Sequence, residues 1–222
     1  MNAQVNTEEV LDRICARGVL PAVGVYSADA AVEVARAMLA GGLDVMEVTF
    51  RKPGAEQSIA AIRAAVPAML VGAGTLLAAE QIDVAMQAGA QFGVTPGFNP
   101  VVIRHAVERG LPFFPGVASP GELEQALALG CRAVKVFPAD LLGGPAYLKA
   151  LSGPYRHTGI KLIPMGGVSP EALPGYLALP ICSAAGGSWM VPESAVTNRD
   201  WARITELTAD AVSRANAARA TH

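Results

Sequence analysis

Apolar positions along this chain fall into two alternating rhythms. Short, nearly continuous apolar runs occupy 19–26, 45–50, 69–75, 92–97, 113–118, 133–138, 161–167 and 182–188. Between them, stretches at 30–39, 55–65, 79–88, 101–108, 121–128, 146–151 and 170–179 space apolar residues three and four apart, as in Val32, Ala35, Met38 and Leu39. The first kind reads as strands, the second as helices with one face turned to a core. Strand alternating with helix, roughly one pair per 20–28 residues, predicts βαβ units and a parallel sheet. Parallel strands covered on both faces lose strict in–out alternation, and these runs show that loss. Eight units predict an α/β protein of the (β/α)8 TIM-barrel class, with an extra N-terminal helix over 7–17 and a trailing one over 201–218. An open doubly wound sheet is the competing arrangement, but no GxGxxG follows the first run.

The punctuation between runs agrees with this layout. Ser119-Pro120-Gly121-Glu122 and Ser169-Pro170-Glu171 each predict a helix start, with Ser as N-cap and Pro at the first helical position. Gly41, Gly89, Gly110 and Gly130 stand where helices should end. No linker or low-complexity tract divides the chain, so residues 1–222 read as a single barrel domain. Hydrophobic residues make up 52% and charged residues 16%, enough apolar material for one large core. A net charge of −2 offers no electrostatic footprint for nucleic acid or an anionic membrane surface. No apolar run approaches the ~18 residues needed to span a bilayer. The polar, acidic stretch 1–9 does not read as a signal peptide. Cys15, Cys131 and Cys182 are odd in number and lack CxxC spacing, which predicts reduced thiols in a cytoplasmic protein.

Candidate chemistry collects at the carboxyl ends of the strands, where barrels of this kind carry their sites. The run Ala133-Val134-Lys135-Val136-Phe137-Pro138 sets a lysine inside a β-branched apolar strand. Removing an ammonium from water is costly, so a buried lysine lowers its pKa, sheds its proton and becomes a nucleophile toward carbonyls. A lysine snorkelling from a strand end, or paired with a carboxylate, is the plain alternative. In Glu47-Val48-Thr49-Phe50-Arg51, a period of two puts Glu47, Thr49 and Arg51 on one face. There a mutual salt bridge and a functional pair are both open. Gly72-Ala73-Gly74-Thr75 either brings backbone and a hydroxyl close to a ligand or is simply a tight turn. Gly166-Gly167 and Gly186-Gly187-Ser188 close the last two runs, where backbone N–H groups and a nearby helix amino terminus can gather a phosphate. Thr95-Pro96-Gly97-Phe98 and Phe114-Pro115-Gly116 supply an apolar pocket wall or plain turns. His105 and His157 lack metal-ligand spacing and read as surface residues; Trp189 and Trp201 read as packing. Neither a metal nor a cofactor is expected.

In this order and spacing the segments resemble the 2-keto-3-deoxy-6-phosphogluconate (KDPG) aldolases over nearly the whole chain. The likeness is carried by Glu47 to Arg51, Gly72 to Thr75, Gly89-Ala90-Gln91-Phe92 with Pro96-Gly97, and Lys135-Val136-Phe137-Pro138. It continues through Pro164-Met165-Gly166-Gly167-Val168-Ser169-Pro170 and Gly186-Gly187-Ser188-Trp189-Met190-Val191-Pro192. The resemblance implies a class I aldolase, metal-independent and without a cofactor, built as a homotrimer of (β/α)8 barrels and serving the Entner–Doudoroff pathway. It implies cleavage of KDPG to pyruvate and glyceraldehyde 3-phosphate, and of 4-hydroxy-2-oxoglutarate to pyruvate and glyoxylate. By position, Lys135 is then the Schiff-base lysine and Glu47 the general acid/base. Arg51 and Thr75 hold the pyruvate carboxylate, Pro96 and Phe137 line the pocket, and Gly166, Gly167, Gly187 and Ser188 bind phosphate.

One position departs from the family pattern. Met165 stands where the family commonly has a threonine that helps recognise the sugar-acid portion, and a thioether cannot donate that hydrogen bond. Ser188 favours the phosphogluconate form, while Met165 fits the phosphogalactonate epimer or a smaller 2-oxo acid. Two other functions stay open: a phosphate-binding barrel isomerase or synthase sharing only the Gly-Gly anion site, and a non-catalytic phospho-ligand-binding barrel. Lys135→Arg separates the first of these from the lyase, because guanidinium cannot form an iminium.

Overall fold

The computed structural model describes residues 6–220. The signal-peptide expectation falls partly on 1–5, and the domain expectation includes 221–222; those residues lie outside the described ones. Helix α1 (Thr7–Arg17) leads into β1 (Val19–Val23), α2 (Ala28–Ala40), β2 (Val45–Thr49), α3 (Ala55–Ala65), β3 (Leu70–Gly74) and α4 (Ala79–Gln87). Then come β4 (Gly93–Val94), α5 (Pro100–Glu108), β5 (Phe113–Phe114), β6 (Gly116–Val117), α6 (Pro120–Ala128), β7 (Ala133–Val136) and α7 (Gly144–Tyr155). The last elements are β8 (Lys161–Pro164), α8 (Leu173–Leu177), β9 (Ala185–Gly187), α9 (Glu193–Thr197) and α10 (Trp201–Arg219). The strands pair in parallel, in the order β5-β4-β3-β2-β1-β9 and, separately, β6-β7-β8. The outcome is an α/β fold with a curled parallel sheet. Among the described residues no helix is long and apolar enough to cross a membrane.

The strand expected over 113–118 is split in two, and Pro115 explains the split. It has no N–H to donate to a ladder, so β5 bonds to β4 before it and β6 to β7 after it. Its carbonyl still accepts from the Lys135 amide at 2.8 Å. The run 92–97 shortens in the same way to the two residues before Thr95-Pro96.

Ser119 caps α6 as its sequence predicts. Its hydroxyl accepts from the Glu122 amide at 3.3 Å, while the Glu122 carboxylate accepts from the Ala118 amide at 2.6 Å. The second expected cap fails. Helix 170–179 is reduced to Leu173–Leu177, and the Ser169 hydroxyl instead accepts from the Ala172 amide at 3.2 Å in the preceding turn. Pro174 is the reason: it has no N–H to donate back to the Pro170 carbonyl and its ring crowds that turn, so residues 170–172 stay a turn and α8 starts at Leu173.

Helix α1 docks against the amino ends of the strands. Arg17 Nε lies 2.6 Å from Asp44 Oδ1 and Arg13 Nε 3.1 Å from Oδ2, just before β2. Burial works to raise the Asp44 carboxyl, but Arg17 and Arg13 together hold it below the usual carboxylate range. Arg13 also donates to the Ala68 carbonyl before β3. At the far end of the chain, Arg219 donates to the carbonyls of Ala16 at 2.8 Å and Ser183 at 2.6 Å, tying α10 to the same region. The opposite end of the sheet is thereby left to the chemistry.

Candidate active site

All five residues of β2 and all four of β7 are buried. Glu47 is 0% and Lys135 6% exposed, so two ionisable side chains share an apolar interior. The strands belong to different sheets, yet the curl brings Lys135 Nζ to 3.6 Å from Glu47 Oε1. At that distance the pair is an ion contact rather than a hydrogen bond. Both carboxylate oxygens of Glu47 lack any hydrogen-bond partner, leaving full acceptor capacity in a dry site. Burial pushes the Glu47 carboxyl up, and Lys135 and Arg51 pull it part of the way back. The Lys135 amine also sits 5.3 Å from the centroid of the Phe137 ring.

Of the two glycines of β3, Gly72 makes room for the Phe92 ring and Gly74 for Glu47. A Cβ at Gly74 would stand 2.9 Å from the Glu47 carboxyl carbon, so this residue clears the space that carboxylate occupies. Thr75, next in line, has φ +60°, a conformation costing about 1–2 kcal/mol for a residue with a Cβ, and its side chain turns into the cavity. Gly166 and Gly167 have φ of +86° and +81°. A side chain at Gly166 would press on the Phe137 ring and one at Gly167 on Asp140, so bare backbone forms that wall.

These groups surround one cavity of about 490 Å³. Glu47, Arg51, Thr75, Pro96 and Lys135 line it, with Phe137, Gly166, Gly167, Gly187 and Ser188 completing the set predicted from sequence. The expected alternative pairing is absent. Glu47 bonds to no arginine; Arg51 Nε donates instead to Thr49 Oγ1 at 3.0 Å. The Phe114-Pro115-Gly116 segment does not reach the cavity wall. His105 is less free than a surface reading implies, since its Nε2 lies 3.2 Å from Asp83 Oδ2. Neither helix after the glycine pairs begins at them: α8 and α9 are five residues each and start at Leu173 and Glu193.

Sequence reasoning missed Trp189. Its ring lies where a Gly187 side chain would be, and it lines the cavity with Val168 and Met165. An aromatic residue immediately after Gly-Gly-Ser was the available signal. A larger cavity, about 560 Å³, lies at the amino end between α1, Phe113 and Cys131. Among the described residues it holds no buried ion pair, whereas the first cavity holds Lys135 and Glu47.

Comparison with known proteins decides the family. A sequence model described as KDPG and KHG aldolase matches residues 10–207. The chain belongs to the KDPG and KHG aldolase family. It is 46% identical to the 2-dehydro-3-deoxy-phosphogluconate aldolase of Treponema pallidum over 90% of this chain and 92% of that one. It is 39% identical to the KHG/KDPG aldolase of Escherichia coli K12, over 87% and 90%. A crystal structure of the Legionella pneumophila KDPG aldolase, with pyruvate captured as a covalent carbinolamine, superposes with a TM-score of 0.87 at 35% identity, covering 93% and 98%. Aldolases of this family are lyases, and the captured carbinolamine is the adduct a Schiff-base mechanism requires.

Proposed function

We propose that this chain is a class I aldolase that cleaves KDPG to pyruvate and glyceraldehyde 3-phosphate, and 4-hydroxy-2-oxoglutarate to pyruvate and glyoxylate. The observation that carries the reading is the buried contact between Lys135 Nζ and an otherwise unbonded Glu47 carboxylate. Lys135 attacks the C2 ketone to give a carbinolamine, which loses water to an iminium. The iminium draws in the electron pair of the C3–C4 bond as Glu47 takes the proton of the C4 hydroxyl, releasing the aldehyde. Glu47 returns that proton to C3 of the enamine, and water then hydrolyses the imine to free pyruvate and Lys135. A carboxyl raised by burial suits both halves of this exchange. Arg51 and Thr75 receive the carboxylate, Pro96 and Phe137 bracket the imine, and Gly166, Gly167, Gly187 and Ser188 hold the phosphate.

The same reading takes the chain as one closed (β/α)8 barrel behind an N-terminal helix, forming a cytoplasmic homotrimer. Closure is supported by the single-residue gap at Pro115 and by parallel bridges from Leu162 to Cys182 and from Met165 to Gly186. The trimer rests on family resemblance, and the cytoplasm on three unpaired thiols. A second substrate, the phosphogalactonate epimer, is favoured by Met165, a buried thioether on the cavity wall where a hydroxyl donor is missing. Comparing kcat/KM for the two epimers chooses between them.

The test of mechanism is borohydride reduction with pyruvate, followed by peptide mass spectrometry. A reduced pyruvate adduct on Lys135, lost together with turnover in Lys135→Arg, is expected. Folded protein without an adduct, or a Lys135→Arg variant that still turns over, would return the phosphate-binding isomerase to first place.

A further inference from the structure

We propose that Thr49 is a positioning residue that aims Arg51 at the ligand's carboxylate, with Tyr26 holding Thr49 in place. The inference rests on the reading of Arg51 as the carboxylate-binding residue. Arg51 is exposed, and its long side chain has many rotamers open to it; what fixes its end is buried. Thr49 is 3% exposed, and its Oγ1 has three partners. Arg51 Nε lies at 3.0 Å, the Val23 carbonyl on β1 at 3.2 Å and the Tyr26 hydroxyl at 3.2 Å.

A hydroxyl owns one proton and two lone pairs. The carbonyl can only accept, so the Thr49 proton goes to Val23. The guanidinium can only donate, so one lone pair goes to Arg51. Tyr26 is then the donor in the third bond, and the hydroxyl is saturated. Although Thr49 lines the cavity, it has no capacity left for a ligand. Any influence it has on binding must pass through Arg51.

The consequence for Arg51 is directional. Its Nε is committed, so a carboxylate cannot be received by the Nε edge of the fork and must meet the two terminal Nη groups. Tethering one N–H of a planar, delocalised group also sets the plane in which the others point. Tyr26 is itself held from outside, where Lys52 Nζ lies 5.6 Å from the centroid of its ring. The chain Lys52, Tyr26, Thr49, Arg51 thus runs from solvent to the pocket wall.

Thr49→Val removes the hydroxyl and keeps the β-branched shape; Thr49→Ser keeps the hydroxyl. The readouts are the pyruvate concentration that half-saturates borohydride trapping, and the split between KM and kcat in cleavage. Thr49→Val should raise the half-saturating pyruvate and KM roughly tenfold, the scale of one charge-assisted hydrogen bond, with a smaller change in kcat. Thr49→Ser should restore both, and in an Arg51→Met background Thr49→Val should add nothing. If Arg51→Met weakens pyruvate binding but folded Thr49→Val does not, the positioning role is wrong and the Arg51 reading stands. The role also fails if the effect of Thr49→Val persists undiminished in the Arg51→Met background. If Arg51→Met leaves pyruvate binding unchanged, both fall together.

Discussion

Lys135 and Glu47 act as one unit. Neither alone is a sound arrangement in an apolar interior, since a buried charge without a partner costs several kcal/mol. The carboxylate is kept free of other hydrogen bonds, and that freedom is what general base work requires. Glu47→Gln is expected to lower kcat by roughly 10²–10⁴-fold, measured by coupled pyruvate assay. The raised Glu47 carboxyl also sets a pH dependence. Proton abstraction needs the ionised form, so kcat should fall as pH drops through a midpoint above the ordinary carboxylate range; a midpoint at an ordinary carboxylate value would contradict this. Gly74 belongs to the same unit, although nothing in its own sequence context says so. Gly74→Ala places a methyl 2.9 Å from the Glu47 carboxyl and should reduce kcat and cost about 1–3 kcal/mol in urea unfolding.

Among the elements, local sequence decided most of the outcome and neighbouring prolines decided the exceptions. Helix α3 occupies the span its apolar spacing foretells, and α6 starts at the Ser119 cap its sequence foretells. Ser119→Ala should cost about 1 kcal/mol in urea unfolding, because it removes the N-cap of α6. Ser169→Ala should cost clearly less, since Ser169 bonds in a turn ahead of α8 rather than at its cap. An equal loss would mean that the expected longer helix exists after all. The two-residue strands flanking Pro115 show the same rule in a ladder, where a missing N–H moves the strand from one partner to the next. That Gly166 and Gly167 leave bare backbone on the cavity wall was legible in the sequence. The helix amino terminus expected beside them was not, because Pro174 delays α8.

In the molecule as a whole, burial of neutral thiols makes stability depend on alkaline pH. Burial pushes Cys131 up to about 11 and Cys182 up to about 12. In the unfolded chain a thiol ionises near ~8.5, so above that pH the unfolded state releases protons that the folded state keeps. Stability is therefore fully present below the unfolded value and falls as pH rises, by about 1.4 kcal/mol per pH unit per thiol, until each folded value is reached. Cys182→Ala should flatten that slope in urea titrations across roughly pH 9–11, whatever it does to the neutral-pH baseline. An unchanged slope would place the thiol in contact with solvent.

By itself the sequence determined the alternation of strands and helices, the caps and breaks, and the list of residues that could carry chemistry. Those are properties of neighbours along the chain: periodicity, a missing N–H, a lysine set among β-branched residues. Only the tertiary structure decided the partners. Glu47 and Arg51 are four residues apart on one strand face and read as a pair, yet Glu47 meets Lys135 across the curled sheet while Arg51 turns back to Thr49. Contacts between β2 and β7 depend on how far the sheet curls. That curl is the sum of small twists over every intervening strand, and no short segment records it.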